Sequence, residues 1–149
     1  MNTTWNYRAN VSNLLSTEFM SLMRAHLNRG GIAYYNTTFS GDALATGASS
    51  FPYALRIHNF LAVSDSPFTL DKNLWRTALT NYQIDGRPVF DLAKPNQRAR
   101  LEEVLHLADT LDLPGSQLES RTSLLRRLKG ARLITDDNMG TEWSPPYEP

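Results

Sequence analysis

Ile32-Ala-Tyr-Tyr-Asn36, then Asp42 to Phe51, then Tyr53-Ala-Leu-Arg-Ile57 and Phe60-Leu-Ala-Val-Ser64 across His58-Asn59, is the run that decides the fold. Three short apolar and aromatic segments read as strands, and a two-residue connection joins the last two as an antiparallel hairpin. Between the first strand and the hairpin, Asp42 to Phe51 reads as a brief helix capped by Ser40 or Asp42 and broken by Pro52. The helix upstream of Ile32, its glycine stop and then this buried strand make half of a crossover unit, so the fold class is α/β.

Upstream, Leu15, Phe19, Leu22, Met23 and Leu27 recur at helical spacing and predict a helix over 12–28, capped by Ser12 or Asn13. Arg29-Gly30-Gly31 stops it, with glycine supplying a left-handed C-cap. Downstream the pattern turns helical: Leu70 to Asn81, Arg98 to Leu111 and Gln117 to Leu128. Leu101, Val104, Leu105, Ala108 and Leu111 form the core face of the second of these, and Leu124, Leu125 and Leu128 that of the third. Arg132 to Thr135 adds a short extended piece.

The composition places this chain among globular proteins: 149 residues, 41% hydrophobic, 20% charged and no cysteine. Fifteen basic and fifteen acidic residues cancel, which leaves no field for nucleic acid. Without cysteine there is no disulfide, thiolate catalysis or Cys-based metal site. Residues 1–69 carry four basic and three acidic side chains, and 70–149 carry eleven and twelve. The first block is therefore expected to be interior-rich α/β structure, and 70–149 a solvated helical extension packed on it.

A crossover helix and strand stand here without the strand, glycine loop and helix that open a doubly wound sheet. No G-x-G-x-x-G and no Walker loop occurs anywhere. The chain reads as the back half of such a domain, with Asn2, Thr3, Thr4 and Trp5 at a strand exit, where these sheets place their ligand crevice. Arg8 is a candidate partner for a ligand carboxylate. Asp136, Asp137, Asn138 and Glu142 gather oxygen donors in one loop, but their spacing is not that of an EF-hand, and no metal is expected. His26, His58 and His106 each stand alone. Asn2-Thr-Thr, Asn10-Val-Ser and Asn36-Thr-Thr match the glycosylation sequon by chance. Arg126, Arg127, Lys129 and Arg132 form one local basic cluster, read as a solvated helix face.

Asn2-Thr-Thr-Trp-Asn-Tyr-Arg8, Asn13-Leu-Leu-Ser-Thr-Glu-Phe19, Leu27-Asn-Arg-Gly-Gly-Ile32, Tyr35-Asn-Thr-Thr38 and Ile134-Thr-Asp-Asp-Asn-Met-Gly-Thr-Glu-Trp143 together resemble spermidine-synthase-like proteins. The bacterial branch with a membrane region ahead of this domain is the most similar. The resemblance implies the C-terminal half of a Rossmann-like methyltransferase fold: a parallel strand plus an antiparallel hairpin, with a helical tail. It implies aminopropyl or methyl transfer in an intact parent, with S-adenosylmethionine or its decarboxylated form as cofactor. The glycine loop and ribose-binding acid would lie upstream of Met1, so Met1 is expected to be internal, and the chain alone to be inactive and to hold no cofactor. The sequence also departs from the family: Asn2 and Trp5 stand where its carboxylates deprotonate the amine, and an amide or an indole cannot do so. The alternative is a non-catalytic interaction or regulatory domain using the same fold. The resemblance further implies a bacterial cytoplasmic location, or the cytoplasmic face of a membrane for an anchored parent. An open strand edge at Ile32–Tyr35 and a partly covered helix stripe lead to a homodimer.

Overall fold

The computed structural model describes residues 12–138. They follow one another as a 3-10 turn Ser12–Leu15, α1 (Thr17–His26), β1 (Ile32–Asn36), α2 (Gly41–Ser50), β2 (Tyr53–Ile57), β3 (Phe60–Ser64), α3 (Lys72–Asn81), β4 (Gln83–Ile84), β5 (Arg87–Pro88), α4 (Pro95–His106), a 3-10 turn Leu107–Thr110, β6 (Leu118–Ser120) and α5 (Arg121–Arg127). Contacts divide them into one unit of residues 12–68 and 119–138 and another of 69–118. The boundary read at 69/70 therefore has a second one behind it, at 118/119, where the chain returns to the first unit. No helix among the described residues is long and apolar enough to cross a membrane.

In the first unit the sheet order is β1-β3-β2-β6. The hairpin has the expected register, Ile57 opposite Phe60, so His58 and Asn59 alone make the turn. β1 also pairs antiparallel with β3, Ile32 opposite Ser64 and Asn36 opposite Phe60. Both neighbours of β3 therefore run the same way and α2 connects them, but β1 and β2 are not bonded to each other: β1 pairs antiparallel with β3, so the parallel strand expected ahead of the hairpin is not shown. Ala33, Tyr35, Ala54, Leu61 and Val63 turn to one face and build the core with Met20, Ala43, Leu44, Ala48, Phe51 and Leu124.

α2 can lie this close to the sheet because its inner residues are small: Ala43, Ala45, Thr46, Gly47 and Ala48 are all buried. Ser40 caps it, its hydroxyl accepting from the Ala43 amide. Two arginines satisfy carbonyls at its other end: Arg121 donates to Ala48 and Phe51, and Arg24 to Ser50. Past α5 the chain runs extended across both helix starts. The Ile134 amide donates to Thr46 Oγ1, its carbonyl accepts from Thr17, and its side chain is buried in the core. The piece predicted at 132–135 is thus a strap between the two helices, accepting from the Thr17 amide at the start of α1 and donating to Thr46 within α2.

Four local expectations change. Ser16, not Ser12 or Asn13, caps the first helix, accepting from Phe19 N. The 3-10 turn ahead of it shifts the helical phase, so Met20 is buried and Leu22, read as core, is 56% exposed. The helix also ends at Leu27, and Gly30 (φ 74°) takes the left-handed conformation in the following turn instead of at the cap. Gln117 to Leu128 is not one helix. Ser120 must be extended to cap α5 through Ser123 N, which leaves Leu118–Ser120 as strand β6 beside β2.

In the second unit α4 ends at His106 and a 3-10 turn follows, so of the expected core face only Leu101 and Leu105 are buried, while Val104, Ala108 and Leu111 are half-buried. Asp71 caps α3, and β4 and β5 close through Asp85 and Gly86, both at positive φ. Lys72 pairs with Asp109 and Arg76 with Glu102, tying α3 to the α4 region.

Candidate functional site

Because β1 and β2 run parallel, their carboxyl ends fall at one end of the sheet, where open α/β sheets bind ligands. Two short connections meet there: Thr37–Ser40 leading into α2, and the His58-Asn59 turn. Thr37 ties them together, its amide and hydroxyl both donating to the Asn59 carbonyl at 2.8 and 2.7 Å.

Backbone strain collects at this point. Thr38 (φ 53°) and Phe39 (φ 63°) are consecutive left-handed residues, and His58 (φ 57°) faces them from the hairpin. A β-branched residue is rare in that region, and the first central position of a two-residue hairpin is one that glycine usually takes. Each such residue costs about 1–3 kcal/mol and persists only where its surroundings hold it. Here the hold is a polar chain. Asn36 Oδ1 accepts from the Thr38 amide and from Asn59 Nδ2, both at 2.8 Å, and Asn59 Oδ1 lies 2.8 Å from His58 Nδ1.

That chain has only one consistent direction. A backbone N–H can only donate, so Asn36 must turn its oxygen toward Thr38. Asn59 must then offer its NH2 to Asn36 and its oxygen to His58. A carbonyl oxygen only accepts, so His58 carries a proton on Nδ1, and the neutral ring presents Nε2 as an acceptor. The Phe39 ring meets this imidazole edge-on, with centroids 5.3 Å apart, and is itself 65% exposed.

Beneath the turn is the unit's buried acid. Glu119 on β6, 6% exposed, pairs with Arg56 Nε at 2.9 Å and takes both arms of Arg127 on α5. Burial alone would push the Glu119 pKa up; the Arg127 hydrogen bonds and the charges of Arg127 and Arg56 outweigh it and hold the carboxyl below its ordinary range. Arg56 also donates to the His58 carbonyl at 3.1 Å, so this ion cluster buttresses the strained turn.

The other candidates fare differently. Asn2, Thr3, Thr4, Trp5, Arg8 and Glu142 lie outside the described residues. Asn138 is engaged in a turn: its Oδ1 accepts from Thr135 N, its amide donates to Thr135 Oγ1, and Nδ2 donates to the Leu133 carbonyl. Asp136 gives its amide to Glu18, and the carboxylates of Asp136 and Asp137 are at the surface. Among the described residues no group of three or more acids and histidines could hold a metal ion. The sequence singled out His58-Asn59 as a short turn, His58 as one of three lone histidines, and Asn36-Thr-Thr38 as a sequon and a point of resemblance. Nothing in residue type announces a left-handed Thr-Phe pair. No family model matches the chain, and no curated protein or solved structure matches it.

Proposed function

We infer that the chain is the C-terminal portion of a spermidine-synthase-like, methyltransferase-fold protein and supplies one wall of its ligand crevice. The observation that carries this reading is the strand order, in which β3 is inserted antiparallel between two parallel strands joined through α2. The bonded pairs β1–β3 and β2–β3 are antiparallel, and an antiparallel last strand set between two like-directed strands supports that fold as the reading.

The described residues do not fit S-adenosylmethionine. The crossover loop from β1 to α2 has no glycine between Thr37 and Ser40, and side chains stand at both of its left-handed positions. A backbone so clothed cannot approach a cofactor as a glycine loop does. The chain is accordingly proposed to be inactive by itself. Calorimetric titration with S-adenosylmethionine or its decarboxylated form should give a Kd no tighter than about 1 mM. A micromolar site would refute the reading.

One feature favours the alternative, a non-catalytic interaction domain. Leu74 on α3 and Tyr82 and Ile84 at the β4–β5 hairpin are each more than half exposed, and α3 buries no residue at all. In the first unit, Ile32, Tyr34 and Tyr53 are exposed on the sheet face opposite the core. Self-association as a homodimer is proposed on these surfaces. Light scattering at micromolar concentration should return twice the chain mass, and a stable monomer would end the proposal.

A further inference from the structure

We propose that the cationic turn at the end of α5, carrying Arg126, Lys129 and Arg132, docks a short acidic peptide segment of a partner protein. It is independent of the crevice reading, since this turn belongs to neither of the two connections described above. The observation that carries it is how the described cations are used. Each of them except Arg29, Arg87 and these three pairs with a carboxylate or donates to a backbone carbonyl. Three unspent cations thus fall within one turn and the loop after it, all exposed, in a stretch, 120–135, that holds no acid.

Helix polarity explains only part of the cluster. A cation in the last turn complements the carboxyl end of a helix, and Arg126 does so. Lys129 and Arg132 lie past the helix, where that effect has faded. Arg127, the fourth cation here, is committed to Glu119. The backbone beneath the three is fixed. The Lys129 amide donates to the Arg126 carbonyl, the Ala131 amide to that of Leu128, and the Arg132 amide to Asp42 Oδ1. Less ordering is then left for binding to impose. Leu133, 40% exposed and next to Arg132 in the chain, adds an apolar contact.

The neighbouring acids set the size of the anion. Asp136 and Asp137 are exposed a few residues on, and exposed Glu18 accepts from the Asp136 amide. A broad negative surface, such as a bilayer or a duplex, would meet these acids together with the cations, and the chain as a whole is neutral. Single-stranded nucleic acid needs aromatic rings to stack on, and 119–138 has none. A short run of aspartate or glutamate side chains can touch the cations alone, each guanidinium gripping a carboxylate through two N–H groups.

Fluorescence anisotropy of a labelled hexaglutamate peptide with the full chain is the test. Binding is expected at low ionic strength, where the Debye length is about 30 Å, and should weaken steeply toward physiological salt. Arg126→Gln, Lys129→Gln and Arg132→Gln should each weaken it about threefold, and the triple variant about thirtyfold, as for exposed ion pairs. Arg87→Gln, which removes an unspent cation of the other unit, should leave the affinity unchanged. Asp136→Asn with Asp137→Asn should tighten binding about twofold by lifting repulsion. An affinity that the triple variant keeps, or that Arg87→Gln lowers as far, overturns the proposal. So does a failure of hexaglutamate to bind at low salt. If phosphatidylglycerol vesicles or oligothymidylate engage the three cations and hexaglutamate does not, the turn serves a lipid surface or nucleic acid and the proposal falls. None of these outcomes touches the crevice reading, which is decided by the titration with S-adenosylmethionine.

Discussion

Gly47→Ala should destabilise the first unit by about 3 kcal/mol, the upper part of the range for overpacking a core. In a chain of this size that corresponds to a fall of roughly 6–12 °C in Tm. Gly47 faces the sheet from the middle of α2. A Cβ there would stand 1.7 Å from Tyr35 Oη and 2.7 Å from Leu61 Cδ2. The tyrosine ring cannot retreat, because it is fully buried on the core face of β1, where burial also pushes the phenol pKa up. Its hydroxyl has no hydrogen-bond partner among the described residues. Tyr35→Phe should therefore be neutral or gain about 1 kcal/mol, since no bond is lost and an unsatisfied group is removed. The double variant is decisive. With Oη gone, the ring atom nearest the new methyl is Cζ at 3.1 Å, and the Leu61 methyl sits at the movable end of its side chain. In the Tyr35→Phe background the cost of Gly47→Ala should drop to about 1 kcal/mol, an interaction of the size expected for side chains in contact. Equal costs in the two backgrounds would show that the hydroxyl is not the obstacle.

How much of this was legible depends on how local each determinant is. The hairpin was readable because two residues between apolar runs admit one geometry, and the start of α2 was readable because Ser40 is followed by a helix that Pro52 must end. α4 was readable from its periodicity. The first helix was readable as a helix but not in phase, since whether Ser16 lies inside it or caps it depends on the 3-10 turn before it. Gln117 to Leu128 carries a helical pattern throughout; only the place beside β2 makes its first residues a strand. The return of the chain at Glu119 was hidden for the same reason: the charge count of 70–149 averages a solvated module with a segment that ends in the core at Ile134. At the candidate site, the positions inferred from the strand exit, Asn2 to Arg8, lie outside the described residues. The positions that converge, Thr38, Phe39, His58 and Asn59, come from two connections about 20 residues apart. The left-handed backbone of Thr38, Phe39 and His58 is held by Asn36, Asn59 and the Arg56–Glu119 pair, none of which is adjacent to all three in sequence.

Glu119→Ala should cost the first unit about 3 kcal/mol, at the low end for stripping the partner from a buried ion pair. The reason for the low end is Arg127, whose side chain is 50% exposed and regains water when released. Arg56, 19% exposed, does not, and its uncompensated charge on the core side of β2 carries most of the loss. The same acid sets a pH dependence whose sign can be worked out. Its carboxyl ionises more readily folded than unfolded, because the two guanidiniums outweigh burial. The stabilisation is therefore fully present above the ordinary glutamate value of 4.5, and is lost as pH falls below it through the lowered folded-state value. Glu18, Asp91, Glu102 and Asp109 are also held low by hydrogen bonds, so acid sensitivity of the whole chain does not isolate Glu119. The difference between the chain and Glu119→Gln does. Urea midpoints for the two should be well separated at neutral pH and draw together as pH falls below 4.5. A gap that stays constant through that range would mean the arginines hold Glu119 by shape alone. Because Arg56 also grips the His58 carbonyl, Glu119→Gln should in addition loosen the hairpin turn. Faster amide exchange at Thr37, whose partner is the Asn59 carbonyl, would register that loosening. Unchanged exchange there would separate the buried ion cluster from the crevice it lies beneath.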